Sequence, residues 1–114
     1  MDCRVDGDKM RLYLNGGMSD TVNALPGAGV GLFSLNRTAA NNIDVYKNGT
    51  FVESLANNSS AIPTGNVYAL AANINNVIAN TATGRRISLC GFGAQMDATK
   101  QAALYAAFMT YLTG

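Results

Sequence analysis

Apolar and polar positions alternate most clearly between Ile43 and Ser54, where two such runs flank an Asn-Gly pair. Asn48-Gly49 accepts the positive φ angles that a type I′ turn requires, so this pattern predicts a β-hairpin over residues 43–56. The same Tyr-x-Asn-Gly sequence begins at Tyr13, 33 residues before Tyr46. It predicts an earlier hairpin over about residues 10–23. The two hairpins are the elements around which the rest of the chain is predicted to fold.

A two-residue turn at Asn48-Gly49 also fixes which residues of the second hairpin face each other. The predicted pairs are Lys47 with Thr50, Tyr46 with Phe51, Val45 with Val52, and Asp44 with Glu53. In the first hairpin they are Tyr13 with Met18, Leu12 with Ser19, and Arg11 with Asp20. Because side chains alternate between the faces of a strand, each hairpin has one aliphatic face. These faces (Met10, Leu12 and Leu14; Ile43, Val45 and Val52) are predicted to point into the core, with Tyr46 and Phe51 as the alternative.

The remaining pattern predicts further strands and a C-terminal helix. Residues 1–9 are expected to be a polar lead-in, 36–42, 57–65 and 74–84 to be loops, and 30–35, 67–73 and 86–93 to be strands. Asp97 is a good N-cap for an alanine-rich helix that ends near Leu112. Its buried face is predicted from the i, i+4, i+7, i+8 spacing of Leu104, Phe108, Tyr111 and Leu112. The fold class is therefore mainly β, an antiparallel β-sandwich with strands over about 10–93 and one C-terminal helix over about 97–112.

Charge and composition narrow the classes of partner. The net charge is +1, only 13% of residues are charged, and the surface polarity comes largely from thirteen asparagines. So small a net charge does not indicate a basic surface that binds nucleic acid. The sequence also has no run of roughly 18 apolar residues, the length that would predict a membrane-spanning helix. The N-terminus has no apolar segment typical of a secretory signal, so Cys3 and Cys90 are expected to be reduced, with a disulfide as the alternative.

The inventory of reactive side chains argues against catalysis. Histidine is absent, which removes Ser-His and Cys-His nucleophilic arrangements. Without histidine or a Cys-x-x-Cys pair, no metal site and no cofactor is predicted. Glycoside hydrolysis needs two positioned carboxylates, and the single glutamate, Glu53, has only Asp44 as a predicted neighbour. The chain is therefore predicted not to be an enzyme.

The juxtaposition of Asp44 and Glu53 is the one local peculiarity, because the first hairpin has Arg11 and Asp20 at the corresponding positions. One interpretation is a cation or a sugar hydroxyl held between the two acids. The other is a solvated hairpin end, or acids neutralised by an arginine (Arg37, Arg85 or Arg86). The candidate carbohydrate-binding residues are Asp44, Tyr46, Phe51 and Glu53.

The order of several segments resembles a known family. Val45-Tyr46-Lys47-Asn48-Gly49 is followed by the predicted strand 67–73, by Arg86-Ile87-Ser88 with Gly91-Phe92-Gly93, and by the helix that begins at Asp97. Over about residues 30–114 this series is similar to concanavalin A-like (laminin-G-like) jelly-roll domains of bacteriophage and prophage virion proteins, especially tail and fibre proteins. The resemblance implies a two-sheet jelly roll that serves structural display or glycan binding, and it supplies no catalytic residues.

Such jelly-roll domains are nearly twice as long as 114 residues. The resemblance thus implies that residues 1–114 are either one domain completed by strands of another subunit or the C-terminal portion of a larger protein. The first hypothesis is a non-enzymatic virion protein, tail, fibre or capsid-associated, that forms homo-oligomers or joins other virion subunits. The alternative is a lectin-like module that binds cell-surface glycans. A third, weaker hypothesis is a remnant of a polysaccharide-degrading enzyme.

Overall fold

The computed structural model describes residues 2–5, 9–14, 16–21, 30–61, 72–74, 77–79 and 88–114. The chain divides into two compact units, one of residues 1–61 with 95–114 and one of residues 62–94. The described residues are mainly antiparallel β-strands followed by one C-terminal helix, which confirms that part of the predicted fold class.

The first sheet contains three antiparallel strands in the order β1 (Asp2–Val5), β2 (Lys9–Tyr13) and β3 (Met18–Asp20). The first hairpin has the predicted register, with Arg11 opposite Asp20, Leu12 opposite Ser19 and Tyr13 opposite Met18. The expectation of a polar lead-in over residues 1–9 is wrong, because β1 pairs with β2. Backbone hydrogen bonds to a neighbouring strand hold a segment extended whatever the polarity of its side chains.

The second sheet contains β4 (Phe33–Ala39), β5 (Asn42–Lys47) and β6 (Thr50–Ala56), also antiparallel and in that order. Asn48 and Gly49 have φ angles of 52° and 75°, so the predicted turn with two positive φ angles is confirmed. The predicted polar loop over 36–42 is wrong, because β4 runs through it and turns at Ala40 and Asn41. Polar side chains can be accommodated in this strand because those of Asn36 and Arg37 hydrogen-bond to other parts of the unit.

An irregularity in β6 changes the predicted register of the second hairpin. Lys47 faces Thr50 and Tyr46 faces Phe51 as predicted, but Val45 then faces Glu53 and Asp44 faces Ser54. The predicted pairs Val45–Val52 and Asp44–Glu53 are wrong. The extra residue, Val52, forms a bulge and is partly buried against the core. The shift sets Leu55 opposite Ile43 and buries it, whereas the predicted register would have turned Leu55 to the other face.

The core of the larger unit combines residues from the first and second sheets. Five buried residues form it, from β2 (Met10 and Leu12), β5 (Ile43 and Val45) and β6 (Leu55). Partly buried apolar residues surround them (Leu14, Phe33, Leu35 and Val52). The prediction that the aliphatic faces point inward is therefore confirmed. Each fully buried aliphatic side chain contributes about 1.5–3 kcal/mol to folding, so this cluster is the main stabilising feature of the unit.

The helix α1 (Ala98–Thr113) covers part of the opposite face of the second sheet. The Asp97 carboxylate accepts a 2.8 Å hydrogen bond from Lys100 N, as predicted for an N-cap. The predicted buried face is wrong at Leu104, Tyr111 and Leu112, which are exposed, and holds in part at Phe108. Gln101 is buried, Tyr105 and Phe108 are half-buried, and Tyr111 is 83% exposed.

Two contacts with the second sheet determine which face of α1 is turned towards it. Gln101 Oε1 accepts a 2.6 Å hydrogen bond from Ser34 Oγ. Gly49 lets the hairpin turn approach closely, since a Cβ built at Gly49 would lie 2.9 Å from Ala102 Cα and from Tyr105 Cβ. The face that carries Gln101 and Tyr105 therefore meets the sheet. An apolar-periodicity argument cannot detect a helix that docks through a polar side chain and a glycine turn.

The second unit contains one described hairpin, β7 (Ala72–Ile74) with β8 (Val77–Ala79). The predicted loop over 74–84 is wrong at these residues, where β-branched side chains favour strands. The predicted strand over 86–93 is wrong from Ser88 to Gly93, which form no strand, and two glycines weaken strand formation there. Most of the predicted strand 67–73 lies outside the described residues.

Candidate functional site

Three of the four predicted site residues lie on one face of the second sheet. Alternate residues of a strand share a face, so Asp44 and Tyr46 point to the side that α1 partly covers, together with Phe51 opposite Tyr46. Glu53 faces the buried Val45 and so belongs to the other side of the sheet. The structure thus brings Asp44, Tyr46 and Phe51 together and separates Glu53 from them.

Of the two aromatic residues, Phe51 is the one that reaches the surface. Tyr46 is 6% exposed, whereas Phe51 is 50% exposed. The rings pack edge to face, with centroids 5.7 Å apart and an interplanar angle of 75°. Tyr46 therefore supports Phe51 from below, and a ligand that stacks on an aromatic ring would meet Phe51.

Asp44 belongs to a row of hydrogen-bonded polar side chains on this face. Ser54 Oγ donates a 2.5 Å hydrogen bond to Asp44 Oδ1, and Asn42 Nδ2 donates one of 2.9 Å to the same oxygen. Asn42 Nδ2 also donates to Thr38 Oγ1 at 2.7 Å. Within the described part of the chain, no residue donates to Asp44 Oδ2. We call Thr38, Asn42, Asp44 and Ser54 the polar row. With respect to the described residues, Asp44 Oδ2 is available to accept a hydroxyl or amide hydrogen.

Sequence reasoning missed Ser54, Asn42 and Thr38 as neighbours of Asp44. Asn42 could have been found, because it lies two residues before Asp44 on the same strand face. Ser54 could not, because the bulge at Val52 brings it opposite Asp44 and nothing in the local sequence reveals that bulge. Thr38 falls within the predicted loop 36–42, so the sequence did not predict that it lies on a strand.

Arg37 does not neutralise Asp44, although the sequence offered it as a candidate. Its guanidinium donates to the Leu14 carbonyl, to Asn57 O at 2.7 Å and to Asn57 Oδ1 at 2.8 Å. Arg37 therefore links the second sheet to the loop of the first hairpin. The other two candidate arginines, Arg85 and Arg86, lie outside the described residues.

The corresponding pair in the first hairpin is a salt bridge. Arg11 Nε and Nη2 donate hydrogen bonds of 2.7 Å each to the two carboxylate oxygens of Asp20. The hydrogen bond from Arg11 lowers the pKa of Asp20 below its ordinary value of 3.8. Arg11 and Asp20 are both about one-third exposed, so this bidentate pair is a partly solvated surface feature.

Helix α1 presents apolar side chains to solvent. Its large exposed apolar residues, here called the apolar helix surface, are Leu104, Met109, Tyr111 and Leu112. Lys100 is the only charged residue among the sixteen of α1. Most monomeric domains place charged residues on the outer face of such a helix.

Among the described residues, no three His, Cys, Asp or Glu side chains are grouped in a way that could hold a metal ion. In the same part of the chain, no helix has the length and apolar character needed to cross a membrane. Comparisons of the chain with models of known protein families, with curated proteins and with solved structures found no significant match.

Proposed function

We propose that this protein is a non-enzymatic structural subunit of a bacteriophage virion, located in a tail, a fibre or a capsid-associated layer. The observation that carries the proposal is the apolar helix surface, which exposes large side chains on a helix with a single charge. Subunits of a particle meet other subunits through exposed apolar side chains of this kind. The assignment to a phage virion comes from the order of segments, which resembles that of virion jelly-roll domains.

The finer fold we propose is a two-sheet jelly roll. It is supported by the two three-stranded antiparallel sheets, which pack their aliphatic faces on each other around Met10, Leu12, Ile43 and Val45. In this proposal the strands that a full jelly roll needs beyond these come from the rest of the chain, from a longer parent protein or from another subunit.

The proposal is tested on purified particles and on the isolated protein. Mass spectrometry of phage particles induced from the strain that encodes the chain is expected to recover its peptides. Light scattering of the purified protein is expected to give a mass above that of one chain. Leu104→Asp, which introduces a charge on the apolar helix surface, is expected to lower that mass. Absence from purified particles would overturn the virion assignment.

A second candidate function is favoured by the face that carries Phe51 and the polar row. An exposed aromatic ring beside hydroxyl, amide and carboxylate groups is the combination by which proteins bind a sugar, since the ring packs on its apolar side and the polar groups take its hydroxyls. Such a module would recognise cell-surface glycans, and a virion protein could also have this role.

A glycan array tests the second candidate function. Reproducible binding that is weakened by Phe51→Ala and by Asp44→Asn would support it. Glu53→Gln is the matched control, because Glu53 faces the other side of the sheet. Binding lost in the control but kept in Phe51→Ala would contradict a site on this face.

A further inference from the structure

Four residues of α1 form a continuous exposed stripe along one side of the helix. Lys100, Leu104, Ala107 and Tyr111 are separated by four, three and four residues, a spacing that keeps them on one side of an α-helix. All four are exposed. We call them the helix stripe. It lies beside the face that carries Gln101 and Tyr105, which meets the sheet.

The helix stripe is complementary to itself when read in the opposite direction. Its spacing of four, three and four residues is the same from either end. In an antiparallel pair of stripes, Leu104 therefore lies opposite Ala107, and Lys100 lies opposite Tyr111. A large side chain meets a small one, which lets two helices approach to the usual 8–10 Å, and a cation meets an aromatic ring.

A parallel pair lacks this complementarity. Each residue would then meet its own copy, so that Leu104 would face Leu104, Ala107 would face Ala107, and Lys100 would face Lys100 instead of an aromatic ring. The ends of the helix favour the antiparallel pair as well. The last turn of α1 has no basic residue to offset the negative end of the helix dipole, and an antiparallel partner brings to that end its Lys100, whose ammonium lies 3.5 Å from Asp97 Oδ2 of its own chain.

We propose that α1 pairs in antiparallel orientation with α1 of a second copy of this chain, through the helix stripe on each copy. The proposal rests on the proposed function, of which it specifies one subunit contact. Each pair contains two equivalent Lys100–Tyr111 contacts and two Leu104–Ala107 contacts, as expected of an interface with twofold symmetry.

Disulfide cross-linking tests the orientation. In a background of Cys3→Ser and Cys90→Ser, one chain carries Lys100→Cys and another carries Tyr111→Cys. An antiparallel pair of the two chains brings the cysteines together at one end and keeps the native Lys100–Tyr111 contact at the other. The expected product of oxidation is the mixed disulfide between the two chains. Homodisulfides, with no mixed product, would overturn the antiparallel pairing.

Affinity measurements test which side of α1 is used. Removal of a cation–π contact from both ends of the pair, by Lys100→Ala or Tyr111→Ala, is expected to weaken dimerisation by about 5- to 30-fold. Thr113→Ala is the matched control, because Thr113 is exposed but lies two residues after Tyr111, on the opposite side of the helix. Equal weakening by the control would overturn the assignment to the helix stripe.

Light scattering separates the two proposals. A monomer at all concentrations would contradict both the stripe pairing and self-assembly of the subunit. An oligomer that persists in Tyr111→Ala and gives only homodisulfides would overturn the stripe pairing and leave the proposed function standing.

Discussion

Gly49 is subject to two separate constraints. Its φ of 75° lies in the left-handed region, and a Cβ there would come within 2.9 Å of atoms of Ala102 and Tyr105. Alanine at this residue strains the backbone and pushes against α1. We expect Gly49→Ala to lower the free energy of unfolding by at least about 2 kcal/mol, as measured by urea denaturation.

Gly17→Ala is the control for this prediction, because a Cβ at Gly17 would meet no atom within 4 Å. It is expected to change the stability by less than about 0.5 kcal/mol. If the two variants had equal stability, the close contact between the turn and α1 would be wrong.

The salt bridge of Asp20 with Arg11 predicts a pH dependence. The folded protein holds the pKa of Asp20 below 3.8, so the unfolded chain takes up the proton first as the pH falls. The stabilisation is therefore fully present at neutral pH and is lost as the pH falls below 3.8 towards the lower pKa of the folded state. Asp20→Asn removes it at every pH.

The difference in stability between the wild type and Asp20→Asn is the quantity to measure. Asp97 also has a lowered pKa, caused first by the hydrogen bond from Lys100 N, and its contribution cancels in this difference. We expect the difference to shrink from neutral pH towards pH 3. A difference that stays constant over this range would contradict the role of the Arg11 hydrogen bonds.

Between elements, Asn36 joins β4 to the segment that leads into α1. Its Nδ2 donates a 2.6 Å hydrogen bond to Met96 O, and its Oδ1 accepts one of 3.2 Å from Met96 N. Asn36 is buried, so its removal leaves two backbone groups without these partners. Asn36→Ala is expected to destabilise the fold by about 2–4 kcal/mol in urea denaturation.

Asn36→Asp distinguishes the contributions of the two hydrogen bonds that Asn36 makes with Met96. The carboxylate keeps an acceptor for Met96 N but cannot donate to Met96 O. At neutral pH it is also expected to be destabilising, because it places a charge among buried groups. Recovery of stability in acid, where the carboxyl group becomes a donor, would be the signature. The same stability for Asn36→Ala as for the wild type would refute the contact.

The elements show what local sequence can and cannot predict. The turn at Asn48-Gly49 and the N-cap at Asp97 were predictable, because each depends on the conformational preference of one or two residues. The face of α1 that meets the sheet was not, because it depends on Gly49 and Ser34, which are distant in sequence. For the same reason the bulge at Val52, which serves the burial of Leu55, escaped a local argument.

The candidate site shows the same division. The shared face of Asp44 and Tyr46 follows from strand alternation alone and was predicted. The loss of Glu53 from that face, the gain of Ser54 and the burial of Tyr46 all depend on the bulge or on tertiary packing. Local reasoning therefore placed Asp44 and Tyr46 on one face of one strand. Two of the three other side chains of the polar row, Thr38 and Ser54, could not be predicted in this way.

At the scale of the larger compact unit, Asn57 and Arg37 connect the two sheets by polar contacts at the edge of the apolar core. Asn57 Nδ2 donates to Gly17 O and to Ser19 Oγ at 2.8 Å each, while Arg37 donates to Asn57 Oδ1. The same guanidinium reaches the Leu14 carbonyl. These hydrogen bonds hold the first hairpin against the second sheet. They are directional, whereas apolar packing alone would specify the position of the hairpin less narrowly.

We expect Asn57→Ala to be among the most destabilising of single polar substitutions in this unit. Asn57 is 6% exposed, and its loss removes the donor to Gly17 O and Ser19 Oγ. It also leaves Arg37 Nη2 with the Leu14 carbonyl as its remaining acceptor among the described residues. The expected decrease in the free energy of unfolding is about 2–4 kcal/mol. The neighbouring Asn58→Ala is the control, because Asn58 is exposed.

A double-mutant cycle decides whether Asn57 and Arg37 act together. If the guanidinium is held by Asn57, Arg37→Ala should destabilise the wild type more than it destabilises Asn57→Ala, with a coupling of about 0.5–3 kcal/mol. Additive effects would show that the two residues stabilise the unit independently. Coupling would instead mean that the contact between the sheets depends on this one network as well as on the shared core. The first hairpin would then lose amide protection against hydrogen exchange in either single variant.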